Sequence, residues 1–175
     1  MSRTREVTEI EPRDRLQPAL LDRLTRDDGD AARVISKSEL RQAVLRDLSW
    51  LFNATQANAG WNETHPALAG TVLNFGLPPL AGRQVSKLDI ARLERTLAET
   101  IRRFEPRVLP DTLQVRAIEP TSVLDTHNTV EFEIRGQLWA QPVPLEILLR
   151  TAMDLEAGQV EVREAAGPLA PSRAR

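Results

Sequence analysis

The run Ile101-Arg102-Arg103-Phe104-Glu105-Pro106-Arg107 divides the chain into two halves with different hydrophobic periods. Apolar residues reach it at helical spacing and leave it in strand-like alternation. Pro106 lacks a backbone N–H, and its ring disfavours helical geometry in the residue before it. A helix arriving at Phe104 is therefore predicted to stop at about Glu105. Glu105 and Arg107 then flank a stiff corner, where their side chains can be aimed at a target.

On the amino-terminal side, two long helices are predicted. Ser36 and Glu39 have the spacing of a capping box. Behind them Leu40, Val44, Leu48 and Leu51 fall on one helical stripe, flanked by Leu45 and Phe52. The helix is expected over 37–53, a length of roughly 25 Å at 1.5 Å per residue. Trp50 lies off the stripe. The opposite face carries Arg41, Arg46, Asp47 and Ser49, where Arg46 and Asp47 can pair with another element. The second helix is expected over 87–105, opened by Ser86 and Asp89. Its stripe is Ile90, Leu93, Leu97, Ile101 and Phe104. Between the two, 53–67 reads as a polar connector. Residues 67–78 read as a short helix or turn packed on the core, with Gly76 as a left-handed stop.

After the corner the period is two. Leu113, Val115 and Ala117 alternate, as do Val130, Phe132 and Ile134. Gly136 is expected to mark a bulge or bend. Alternation from Leu145 to Leu155, the turn Glu156-Ala157-Gly158-Gln159, and then Val160 and Val162 predict a closing hairpin. Helices followed by consecutive strands give an α+β fold, with two long helices on one face of a mostly antiparallel sheet. The last strands, around Val160 and Val162, should leave an edge with unpaired backbone groups.

Residues 1–30 are expected to form a loose arm. It holds a short helix near 18–25, where Leu20, Leu21 and Leu24 make a small apolar island. Residues 31–165 are read as one domain, and 166–175 as a frayed tail. With 41% hydrophobic residues the chain can build a core. A net charge of −2 argues against general nucleic-acid binding. Of 23 basic residues only Lys37 and Lys87 are lysines. The arginine bias fits planar recognition of carboxylates and equally a GC-rich coding bias. Cysteine is absent, which excludes disulfides and thiolate metal sites. No run approaches the ~20 apolar residues of a membrane span, and the protein is expected in the cytoplasm.

Enzymatic signatures are weak. His65 and His127 stand far apart in polar loops without metal-ligand spacing. Ser122, Asp125 and His127 share one turn but lack the glycines of a nucleophile elbow. A base two residues beyond Glu105 favours the charged carboxylate, the wrong direction for a general acid. Glu105 thus reads as half of an ion pair.

Several segments, in order, resemble one known family. They are Leu20-Leu21-Asp22-Arg23-Leu24-Thr25; Leu45-Arg46-Asp47-Leu48-Ser49-Trp50-Leu51-Phe52-Asn53; and Thr71-Val72-Leu73-Asn74-Phe75-Gly76-Leu77-Pro78. The hallmark Phe104-Glu105-Pro106-Arg107-Val108 and the strands over 131–144 and 150–162 complete the set. By these motifs the chain is identified as a member of the TssE family, the baseplate subunit of type VI secretion systems. That family is similar to the lysozyme-like baseplate wedge protein of contractile-tailed phages. Phe52 and Met153 depart from the pattern without touching the hallmark.

The resemblance implies a non-enzymatic assembly part with no cofactor, despite the lysozyme-like label. It implies a wedge shared with TssF, TssG and TssK, and a platform for the TssB–TssC sheath. Glu105, Pro106 and Arg107 are implicated in baseplate contacts, and strand exchange with the first sheath ring is implied. Two other readings stand beside it: a peptidoglycan-cleaving enzyme using Glu105, and a scaffold of another contractile injection machine.

Overall fold

The computed structural model describes residues 19–25, 35–57, 64–80, 89–118 and 128–165. Expectations for the start of the arm, the tail, Ser86, and the Ser122–Asp125–His127 turn lie outside the described residues. Among the described residues the helices and strands, in chain order, are α1 (Leu20–Thr25), α2 (Lys37–Asn53), α3 (Ile90–Phe104), β1 (Gln114–Ile118), β2 (Thr129–Leu138), β3 (Leu145–Asp154) and β4 (Gln159–Glu164).

The local signals act where the sequence places them. The Ser36 N–H donates to Glu39 Oε2 at 2.7 Å, and the Glu39 N–H donates to Ser36 Oγ at 3.2 Å. These reciprocal bonds satisfy two donors that the first turn of a helix leaves open. α3 begins three residues later than expected, because Asp89 is itself the cap and accepts from the Arg92 N–H at 3.0 Å. It ends at Phe104, with the Glu105 N–H making the final bond to Ile101 O at 2.8 Å.

The strands form one antiparallel meander in the order β1-β2-β3-β4. The register aligns Ala117, Phe132, Thr151 and Val162 in one row and Val115, Ile134 and Leu149 in the next. This face carries the buried side chains of β2, β3 and β4, with Val115 and Ala117 of β1 partly buried beside them. It belongs to the same hydrophobic cluster as Leu40, Val44, Leu48 and Leu51 of α2 and Leu93, Leu97 and Ile101 of α3. The opposite face carries Arg116, Glu131, Glu133, Arg135, Arg150 and Arg163. α2 lies against β4 and α3 against β1.

One expectation is corrected. β2 runs through Gly136 without a bulge, in register with Ile147. There the connecting segment comes close, with Val108 Cγ1 3.5 Å and Leu113 Cα 3.8 Å from where a Cβ would sit. The glycine marks a close approach, which the period of the strand alone does not distinguish from a bend. Residues 66–78 hold two 3₁₀ turns, Pro66–Gly70 and Val72–Asn74. Val72 and Leu73 are exposed there, and Asn74 is buried, donating to Leu68 O at 2.7 Å. Gly76 follows with φ +125°, a positive value that L side chains rarely adopt. Its segment bridges back to Thr55 at the end of α2.

Candidate functional site

Pro106 ends α3, and the next residues fold back beside the sheet. The Leu109 N–H donates to Gln137 O at 2.8 Å, and the Trp139 N–H donates to Arg107 O at 2.7 Å. The corner is thereby fixed to β2 on one side and to α3 on the other. Glu105 is buried, at 3% exposure, while Pro106 is exposed.

Arg107 closes on Glu105 as a fork. Nε donates to Oε1 at 2.7 Å and Nη2 to Oε2 at 2.5 Å, and the Arg107 backbone N–H adds a bond to Oε1 at 3.1 Å. Nη2 also donates to Asp47 Oδ2 on α2 at 2.6 Å. Asp47 Oδ1 accepts from Arg46 Nε at 2.9 Å, and Arg46 Nη1 reaches Asp22 Oδ1 on α1 at 2.7 Å. Five charged side chains thus run in one line, Glu105–Arg107–Asp47–Arg46–Asp22, and tie three elements together. The Arg46 guanidinium lies over the Trp50 ring, 4.9 Å from its centroid.

Burial opposes the charge on Arg107. Hydrogen bonds and attraction from Glu105, then from Asp47, outweigh it and hold the guanidinium above its ordinary pKa. For Arg46 the bond donated to Asp22 is the largest cause of an upward shift, with Asp47 adding to it against partial burial.

Beside this line lies a cavity of about 420 Å³, walled by Leu21, Trp50, Phe75, Phe104 and Pro106 and reached by Arg107. Phe75 and Phe104 meet edge to face, with centroids 5.5 Å apart at 73°. Arg107 Nη1 has no partner among the described residues. The arrangement offers an apolar recess and one unused guanidinium donor. It does not offer a free carboxylic acid, since both Glu105 oxygens are taken.

Of the residues singled out from sequence, Glu105, Pro106, Arg107, Arg46 and Asp47 come together here. Val160 and Val162 lie apart on β4. Val160 is buried and Val162 half-buried, both on the helix-facing side. Asp22 was not singled out as a site residue. It stands 24 positions from Arg46, so only the fold joins them. Its pair is partly exposed and worth at most about 1 kcal/mol. Asp22→Ala is accordingly expected to leave the Tm nearly unchanged while α1 becomes more readily cut by trypsin; equal cleavage rates would show that this pair does not seat α1.

A sequence profile of the family described as baseplate wedge protein gp25 matches residues 38–143. That span contains α2, α3, the corner, β1 and β2. Neither curated proteins nor solved structures gave a match. With the corner and most of the core inside a match to more than half of its length, the chain belongs to the baseplate wedge protein gp25 family.

Proposed function

We propose that this protein is the TssE-type baseplate subunit of a type VI secretion system. It joins TssF, TssG and TssK in a wedge on the cytoplasmic side of the inner-membrane complex, and the TssB–TssC sheath starts on it. Membership of a structural baseplate family supports an assembly role, and no helix among the described residues is long and apolar enough to cross a membrane. At the corner, the exposed Pro106, the apolar recess and the unused Arg107 donor face a wedge partner.

The observation that carries the sheath platform is the β4 edge. Val162 and Glu164 have no outward backbone partner among the described residues. An extended segment from the sheath can add there, with main-chain bonds for affinity and side-chain pockets for choice. Val162→Pro tests this directly. An edge strand tolerates proline where its N–H faces outward, so folding is retained while one pairing donor is lost. Cells carrying Val162→Pro are expected to assemble few or no sheaths. Normal sheath numbers, with the variant folded, would sink the strand-addition reading. Catalysis by Glu105 is disfavoured by its burial and its two-point hold by Arg107.

A further inference from the structure

The outward edge of β4 is not uniform along its length. The Ala165 N–H donates inward to Leu148 O at 2.8 Å. Alternation then turns the backbone groups of Val160, Val162 and Glu164 away from β3. At Val160 one side chain takes both outward groups. The Val160 N–H donates to Asn53 Oδ1 at 3.0 Å, and Asn53 Nδ2 donates to Val160 O at 2.7 Å. The amide also donates to Ser49 O at 2.8 Å, within its own helix. Turned over, it would set its oxygen against two carbonyl oxygens, so the network fixes its orientation. Donating to C=O and accepting from N–H is what a residue on an adjacent strand would do. A primary amide at the last residue of α2 thus stands in for one residue of a fifth strand. On the opposite edge, Glu94 Oε1 of α3 accepts from the Ala117 N–H at 2.7 Å.

The sequence of β4 shows what such a seal prevents. Gln159-Val160-Glu161-Val162-Arg163-Glu164 is self-complementary about Val162. In an antiparallel pair of two copies, Glu161 of one falls opposite Arg163 of the other, and Val160 opposite Glu164. The second alignment needs the backbone groups that Asn53 holds. Within the sheet, Arg150 and Arg163 already face each other as like charges. Arg163 Nη2 pairs with Glu161 of its own strand at 2.6 Å, and an acidic residue opposite Arg163 on an added strand would supply a second carboxylate against the Arg150 like charge.

We infer that Asn53 is an edge plug, which closes β4 at Val160, confines strand addition to Val162 and Glu164, and keeps two copies of this chain from pairing through β4. The partner segment it admits is extended, with an apolar residue beside Val162 and an acidic one beside Arg163. The admission of a partner rests on the strand-addition reading above, whereas the block on self-pairing does not.

The test is Asn53→Ala in the full chain, followed by sedimentation velocity and amide exchange. The expected result is a shift from monomer to dimer, with faster exchange at the Val160 amide before dimerisation. Adding Glu161→Arg should restore the monomer, because it sets Arg against Arg across the new pair. Asn53→Asp is a milder second variant. It keeps an acceptor for the Val160 N–H but turns an oxygen on the Val160 and Ser49 carbonyls, and should dimerise more weakly. Monomeric Asn53→Ala with wild-type exchange at Val160 would overturn the plug, as would a dimer indifferent to Glu161→Arg. Sheath counts separate the two ideas. If Val162→Pro abolishes sheaths while Asn53→Ala stays monomeric with wild-type Val160 exchange, strand addition stands and the plug fails. If Val162→Pro leaves sheaths normal, strand addition fails and self-association still judges the plug.

Discussion

Arg107→Ala is expected to destabilise the protein by about 3–5 kcal/mol, the cost of stranding a buried charge. Glu105 is 3% exposed, and without this guanidinium its carboxylate keeps only the Arg107 backbone N–H, 3.1 Å from Oε1. The substitution also removes the Asp47 contact that joins the corner to α2. In urea or thermal unfolding the loss should appear as a fall in Tm on the order of 10 °C. Arg107→Lys should recover only part of it, because an ammonium lacks the planar fork that meets two oxygens at once. Glu105→Leu with Arg107→Met should recover more than either single change, since apolar replacement of a buried pair leaves no orphaned charge. The guanidinium pKa is raised in the folded state. A raised pKa gives stability that is fully present below the unfolded value and lost only as pH rises through the folded one. The stability that the Arg107 charge contributes to the wild-type fold should therefore be constant across the neutral range. A loss under about 1 kcal/mol would place Glu105 in water rather than in the core.

This geometry divides the labour within the hallmark. Glu105 is buried, Pro106 is exposed, and Arg107 holds Glu105 and Asp47 while its Nη1 has no partner among the described residues. A variant that loses partner binding at Arg107 is thus expected to lose stability too. Binding assays on such variants need a folded control, and Pro106→Ala supplies one because Pro106 carries no hydrogen bond across the corner.

The parts of the fold set by neighbours in sequence were legible there. The Ser36–Glu39 cap lies within one turn, the stop at Phe104 follows from Pro106, and the alternation Val130-Phe132-Ile134 sets the buried face of β2. Bonds between distant residues were not. Asp47 and Arg107 are 60 positions apart, and Asn53 and Val160 are 107 apart. Arg46 and Asp47 could be singled out as a pair able to bind another element, but nothing local says that the element is the corner. Asn53 closes a helix, where an asparagine has no special signal for capping a strand. Gly136 misleads for the opposite reason. Its missing side chain is a local fact, while the segment that comes close enough to need it is encoded more than twenty residues earlier.

Gly76→Ala should be comparably damaging, through sterics instead of charge. At φ +125° an L-residue is strained before any contact is considered. The added Cβ would lie 2.2 Å from Ala54 O and 2.5 Å from its carbonyl carbon. Neither atom can yield cheaply. Ala54 O accepts from the Leu77 N–H at 2.9 Å, the Gln56 N–H donates to Leu77 O at 2.9 Å, and the Ala57 N–H donates to Leu73 O at 3.0 Å. Relief therefore requires the 72–77 segment to lift from the end of α2, which would carry Phe75 away from Phe104 and remove one wall of the apolar recess. It would also disturb Ala54, the residue next to Asn53. The expected cost is about 3–5 kcal/mol from backbone strain and lost bridging together, read as a lowered urea midpoint. Unlike Arg107→Ala, this change leaves every charge paired, so its effect should be insensitive to salt. Wild-type stability for Gly76→Ala would mean that the bridge between Thr55 and Leu77 is not made in solution. The recess would then lack the support that positions it beside Arg107.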